Sequence, residues 1–202
     1  YMVARGQKGY NGVAILSKLP IVDGGDRDFA QLGHARHVSA RLENGVTIHN
    51  CYVPAGGDVP DRAENVKFGQ KLDYLTEMRD FFHWQRPDRA ILVGDLNIAP
   101  REDDVWDHKA LLKIVSHTPV GVDHFNAVMD AGRWQDVTRK DIPEGLLYSW
   151  WSYRFNARKN NAGWRIDYFL VSDSIAANVR DTGIRGDIFG SDHCPVTLTL
   201  EL

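Results

Sequence analysis

Asp192 and His193 stand side by side near the C-terminal end of a 202-residue chain. An acid beside an imidazole can bind a divalent metal or a phosphate, and the histidine can also carry protons near neutral pH. Taken alone, the pair reads as an idle surface dipeptide, but two further segments change that reading. Gly94-Asp95-Leu96-Asn97 holds a carboxylate and an amide two residues apart, which point the same way where the backbone stays extended. The plainer alternative is an Asx-turn, in which both side chains only cap their own backbone. Asp167 is a single carboxylate in the apolar and aromatic run Gly163-Trp164-Arg165-Ile166-Asp167-Tyr168-Phe169-Leu170-Val171. There it is costly unless paired; a histidine is one candidate partner, and Arg165 is too near along an extended chain to serve easily. Acids, an amide and an imidazole at three strand ends point to a hydrolytic site.

The elements that must position these groups are legible. Val196-Thr197-Leu198-Thr199-Leu200-Glu201-Leu202 is apolar at every second residue, so one face is core and its leading residues are held rigidly. Ala90–Val93 is a continuous apolar run, a strand buried on both faces and ended by Gly94. Further short strands fall at Gly12–Leu16, His37–Leu42, Val46–Val53 and Trp164–Val171. Asp61–Trp84 is the clearest helix, with Phe68, Leu72, Leu75 and Phe82 on the 3.6-residue period and Pro87 closing the region. Val122–Ala131 is a second, stopped by Gly132, and Ser172 is expected to cap a short third holding Ile175 and Val179. Glu102-Asp103-Asp104 reads as a solvated turn, and His83, His108, His117 and His124 as solvated or core histidines rather than a ligand set. With no repeat or linker, the pattern favours a layered sandwich over a Rossmann sheet, in one domain spanning residues 1–202.

Composition constrains function less than these motifs do. Hydrophobic residues make up 43% of the chain, enough for one substantial core. The formal charge of -3 argues against a simple histone-like binder, yet not against a nuclease, whose site gathers acids while a separate basic rim meets phosphate. Cys51 and Cys194 have no metal-ligand spacing and read as buried, reduced thiols of a cytoplasmic protein. No apolar run is long enough to expect membrane insertion. Trp150, Trp151, Tyr153, Phe155 and Trp164 lie among Arg154, Arg158, Lys159 and Arg165, and rings interleaved with cations suit base stacking and phosphate contacts. The plainer reading is core, favoured for Trp151 and Tyr153.

Gly94-Asp95-Leu96-Asn97, Trp164-Arg165-Ile166-Asp167 and Ser191-Asp192-His193-Cys194-Pro195 occur in that order. Together with Gly9-Tyr10-Asn11-Gly12-Val13-Ala14, Asn50-Cys51-Tyr52-Val53-Pro54, the segment Tyr148–Tyr153 and the segment Asn156–Asn161, they resemble the exonuclease III family of apurinic/apyrimidinic endonucleases, from the first residues to the last. The resemblance implies an α/β (α+β) four-layered sandwich of two facing mixed β-sheets flanked by helices. It also implies an opening pair of strands, the second ending in a glutamine-glutamate pair whose glutamate holds the metal. The chain begins with Tyr1, in a stretch that resembles a part of the family lying beyond those strands, so the N-terminal strands and that glutamate are expected to be missing.

The implied activity is metal-dependent incision of double-stranded DNA 5' to abasic sites, with 3'-5' exonuclease or 3'-phosphodiesterase action on blocked 3' ends, by a bacterial-type, nucleoid-associated monomer. A catalytically inactive DNA-binding fragment is the alternative. Within the implied site, Asp95 activates the water or protonates the leaving 3'-oxygen, Asn97 orients it, and Tyr52 donates a phenol hydrogen bond to the phosphate. His193 donates to a phosphate oxygen and is kept cationic by Asp167. Asp192, with Asp95 and Asn97, faces the metal; magnesium suits hard oxygen ligands and phosphate, with manganese as substitute. Trp150, Trp164 and Ile166 align with the pocket for the flipped abasic sugar, Tyr10 with a minor-groove contact, and Arg154 and Asn161 with further DNA contacts. Relatives carry an asparagine at the position of Ala55 and an intercalating arginine at that of Asp58, so no wedge is expected there.

Overall fold

The computed structural model describes residues 1–201. Its elements follow in order: β1 (Met2–Gly6), β2 (Gly12–Leu16), β3 (Ile21–Gly25), β4 (His37–Leu42), β5 (Thr47–Cys51), α1 (Val66–Gln85), β6 (Ala90–Asp95), α2 (His108–Leu111) and α3 (Pro119–Gly132). The chain continues through β7 (Trp134–Asp136), α4 (Val137–Asp141), β8 (Trp150–Trp151), β9 (Gly163–Trp164), β10 (Asp167–Ser172), β11 (Val179–Ile184) and β12 (Val196–Leu200).

A six-stranded mixed sheet in the order β3-β4-β5-β6-β10-β7 forms the centre. Only β5 and β6 pair in parallel within it; the other neighbours are antiparallel. Alternation along β6 and β10 divides their side chains between two cores. Ala90, Leu92, Tyr168 and Leu170 pack on α1 and α3 against Leu75, Met78, Phe82, Phe125 and Val128. Ile91, Val93, Phe169 and Val171 face the other way, onto the β11–β12 hairpin through Leu198 and Leu200. The β1–β2 hairpin covers the neighbouring part of that face, Val3, Val13 and Ile15 meeting Val38 and Ala40. The result is an α/β layered fold of mixed sheets with helices on its flanks, the facing layer being built of hairpins.

Several expectations are corrected. The helix expected at Asp61–Trp84 begins at Val66, because Asn65 caps it through Lys67 N while Asp61 turns its carboxylate onto Ala63 N. The single strand expected at Trp164–Val171 is two: Trp164 pairs with Trp150 in β8–β9, whereas the chain from Asp167 joins the central sheet. Ser172 caps no helix by its side chain; its hydroxyl accepts from Ala90 N, a short 3-10 turn follows at Asp173–Asn178, and Val179 opens β11. The strand expected to run to Leu202 ends at Leu200, and Leu202 lies outside the described residues. Glu102-Asp103-Asp104 is no solvated turn at its last residue, since Asp104 is wholly buried. Arg165 donates to both its oxygens (Nε–Oδ1 2.7 Å, Nη2–Oδ2 3.0 Å) and Arg139 Nη2 to Oδ1 at 2.6 Å. Tyr153, favoured as core, is exposed.

Candidate active site

Three strand ends bring the site together. Asp95 closes β6, Asp167 opens β10, and the two are register partners across that antiparallel pair. His193 reaches them from the segment before β12, which is bridged to Trp150 of β8. Gly94 makes this convergence possible: its φ is +126°, and a Cβ there would collide with the carbonyl oxygen of Cys51 on β5.

Each titratable group has a defined partner. His193 Nδ1 donates to Asp167 Oδ2 at 2.9 Å, leaving Nε2 as the free nitrogen of a ring that lines the cleft. The same oxygen takes a hydrogen bond from the Ser149 hydroxyl at 2.7 Å, and that hydroxyl accepts from Ile166 N and Asp167 N at 3.1 Å each. Burial works against the charged form of His193, but the Asp167 hydrogen bond and the charges of Asp167, Asp95 and Asp192 outweigh it and raise its pKa. Asp95 is pushed up to about 7, by burial first and by Asp167 second, against the opposing pull of His193 and Lys71. Tyr52 also rises, through burial and the Asp95 charge, so its phenol keeps its proton.

Asn97 is not extended. At φ 52° it folds back so that its backbone N–H donates to Asp95 Oδ1 (3.0 Å) and its Nδ2 to Asp95 Oδ2 and Val53 O (2.9 Å each). The Asx-turn and the orienting contact are therefore one arrangement, in which the turn brings the amide onto the carboxylate. Asp192 Oδ2 accepts from Trp150 Nε1 at 3.0 Å. Among the described residues no three acidic, imidazole or thiol side chains lie close enough together to hold a metal ion. Asp95 and Asp192 supply carboxylates of the right kind, and with Asn97 engaged on Asp95 the residues present fall short of a complete ligand set.

Tyr52, Asp95, Asn97 and His193 line one cleft of about 970 Å³, which Ser149, Asp167 and Asp192 do not line. Its floor carries Tyr52, Asp95, Asn97 and His193; Trp150, Trp164, Ile166 and Arg154 form a wall. Trp164 and Ile166 are buried, Trp150 half-buried, and Phe155 at the rim is 91% exposed. Two expected DNA contacts lie elsewhere. Asn161 accepts from Trp151 Nε1 at 3.3 Å and does not line the cleft. Tyr10 sits exposed in the β1–β2 turn, edge-on to His34. Sequence reasoning missed Ser149, although it sits beside Trp150; it missed the further apolar lining of Trp106, Leu111 and Ile114, of which Leu111 packs with Trp164 and Ile166. It also missed Lys71, whose signal was a lysine on the apolar stripe of α1, three residues after Phe68 and four before Leu75.

Residues 1–193 match the family described as Endonuclease/Exonuclease/phosphatase family. An exodeoxyribonuclease of Bacillus subtilis is 36% identical over 204 residues, covering 97% of this chain and 77% of its own length. An AP endonuclease of Archaeoglobus fulgidus superposes with a TM-score of 0.89 at 26% identity, over all of this chain and 79% of its own. A 3' phosphatase of Neisseria, bound to product DNA hairpin, gives 0.88 at 30% identity, over all of this chain and 79% of its own.

Proposed function

Because this chain belongs to the endonuclease/exonuclease/phosphatase family, among whose members its relatives are DNA-repair nucleases, we propose that it cuts double-stranded DNA 5' to abasic sites and clears blocked 3' ends. The observation that carries the reading is the cleft itself. Its floor sets His193, held by Asp167, beside a carboxylate with a pKa near neutrality, and its wall is apolar and aromatic.

Phosphodiester hydrolysis needs an in-line water, compensation of charge on the phosphoryl oxygens, and a proton or other stabilisation for the leaving oxygen. His193, protonated and fixed through Nδ1, donates from Nε2 to a phosphoryl oxygen, and the Tyr52 phenol donates a second hydrogen bond. Asp95 handles the reacting proton; a pKa of about 7 lets it serve as base or acid close to the working pH. Asn97 fixes the direction of that carboxylate. Trp150, Trp164 and Ile166 take up the extrahelical sugar, which lacks a base and so fits where a whole nucleotide is excluded. Arg154 is placed for a phosphate contact at the cleft wall.

The family generally uses divalent metals, and magnesium, with manganese as its substitute, is the ion we assign, since the carboxylate donors at hand are hard oxygens. Two carboxylates do not complete a ligand set, and no step of the hydrolysis is assigned to the ion. The test is a duplex carrying one tetrahydrofuran abasic analogue. Incision immediately 5' to the lesion, dependent on magnesium and abolished by a chelator, is the expected result; cutting that persists in excess chelator, or that ignores the lesion, removes the reading.

A further inference from the structure

Lys71 is a wholly buried lysine that the hydrolysis does not use, and burial pushes its pKa down to about 7. It leaves α1 on the core side, and its Nζ donates to three backbone carbonyls: Ala55 at 3.0 Å, Asn97 at 2.7 Å and Val115 at 2.9 Å. The hydroxyl of Ser116 lies 3.4 Å away. Among the described residues it makes no ion pair. An unpaired buried charge is expensive, and an apolar side chain of similar shape would ordinarily be better for stability.

What the side chain achieves is visible in where the three carbonyls come from. Ala55 follows β5, Asn97 follows β6 and Val115 precedes α3, and all three residues line the cleft. An ammonium has three donors directed apart, so one lysine can tie three separate segments at a point. Asn97 most needs such a tie. It sits at a positive φ of 52° that residues with a Cβ adopt at some cost, and that conformation is what carries its amide onto Asp95.

We propose that Lys71 is the positioning residue of this site, pinning the carbonyl of Asn97 to the loops after β5 and before α3 so that the Asn97 amide stays on Asp95. The proposal rests on the reading of Asp95 as the group that moves the reacting proton.

The experiment compares the full chain with Lys71→Met. One readout is hydrogen exchange of the Asn97 side-chain amide by NMR, and the other is kcat and KM on the abasic duplex. The Asn97 amide protons are expected to be protected in the parent protein and unprotected in the variant. Turnover should fall by about a hundredfold, the size of effect that a small misplacement of a reacting group produces, with KM essentially unchanged. An Asn97 amide that stays protected, or a turnover that stays at the parental level in a folded variant, overturns the proposal. Should Lys71→Met fail to fold, Lys71→Arg keeps the charge but presents a planar fork that cannot meet the three carbonyls alike, and the same two readouts decide. An inactive parent protein would sink the proposed reaction instead, leaving the Asn97 exchange measurement to judge Lys71.

Discussion

Asp95 and Asp167 face each other as direct partners across the antiparallel β6/β10 pair. Like charges in that position repel, and the fold gives the two carboxyls different roles. Asp167 receives the Ser149 hydroxyl and the His193 ring N–H on one oxygen. Asp95, half-buried and beside that charge, is clamped by Asn97 and moved to about 7. One acid anchors a cation, and the other is left close to half-protonated at neutral pH.

Stability should record this division. Asp95 has an ordinary value of 3.8 when unfolded and about 7 when folded. Between those values the folded chain holds a proton that the unfolded chain has lost, so this group's contribution to stability falls as pH rises through the window. Asp95→Asn is neutral throughout. The variant should melt above the parent protein at pH values beyond 7, with the gap closing toward acid; thermal melts across the window check it, and a gap independent of pH would place Asp95 at its ordinary value.

Activity should move oppositely to stability. Asp95→Asn and His193→Ala each remove interactions made mainly in the transition state, so turnover should drop by several orders of magnitude while affinity for abasic DNA falls little. Single-turnover kinetics alongside equilibrium binding separates the two. Parallel loss of binding and turnover would make these residues binding groups.

Asp167→Asn tests the support of His193. The hydrogen bond and charge of Asp167 raise the His193 pKa against burial, so removing them lowers it. If protonated His193 acts as the donor, the alkaline limb of the rate profile should shift toward lower pH in the variant, and turnover near neutrality should fall by about a hundredfold. A limb that does not move assigns it to another group.

The wall behind the cleft depends on the buried set of Arg165, Arg139, Asp104 and Asp136. Arg165→Met leaves Asp104 with one guanidinium and Asp136 without its 2.7 Å partner. Removing one member of a buried ionic group costs about 3–5 kcal/mol, and denaturant unfolding should show a loss of that order. A loss within experimental error would mean that water or a rearranged Arg139 replaces the missing cation.

Residue types and period carried much of this in the linear sequence. Strands at Gly12–Leu16 and His37–Leu42 were legible to the residue, the first because alternation shows when one face is buried and the other is not, whereas the second is buried on both faces over its first four residues. The apolar run Ala90–Val93 announced a central strand, and Asp95, Asn97, Asp167 and His193 stood out because polar groups beside such strands need a reason. Helix starts were less legible: Asn65 rather than Asp61 caps α1, and several polar residues compete for that role.

Only the tertiary structure decided which groups meet. Glu102-Asp103-Asp104 looked solvated because the arginines that neutralise Asp104 lie 35 and 61 residues away along the chain. The split of Trp164–Val171 into two strands came from pairing choices, Trp150 claiming Trp164 while β6 claimed Asp167. Lys71 among core residues could be seen in sequence, but its three carbonyl partners could not, since backbone acceptors carry no residue-type signature. Residue types therefore named the chemistry, and long-range pairing decided its electrostatics, because burial and charge proximity depend on distances in space that no local pattern encodes.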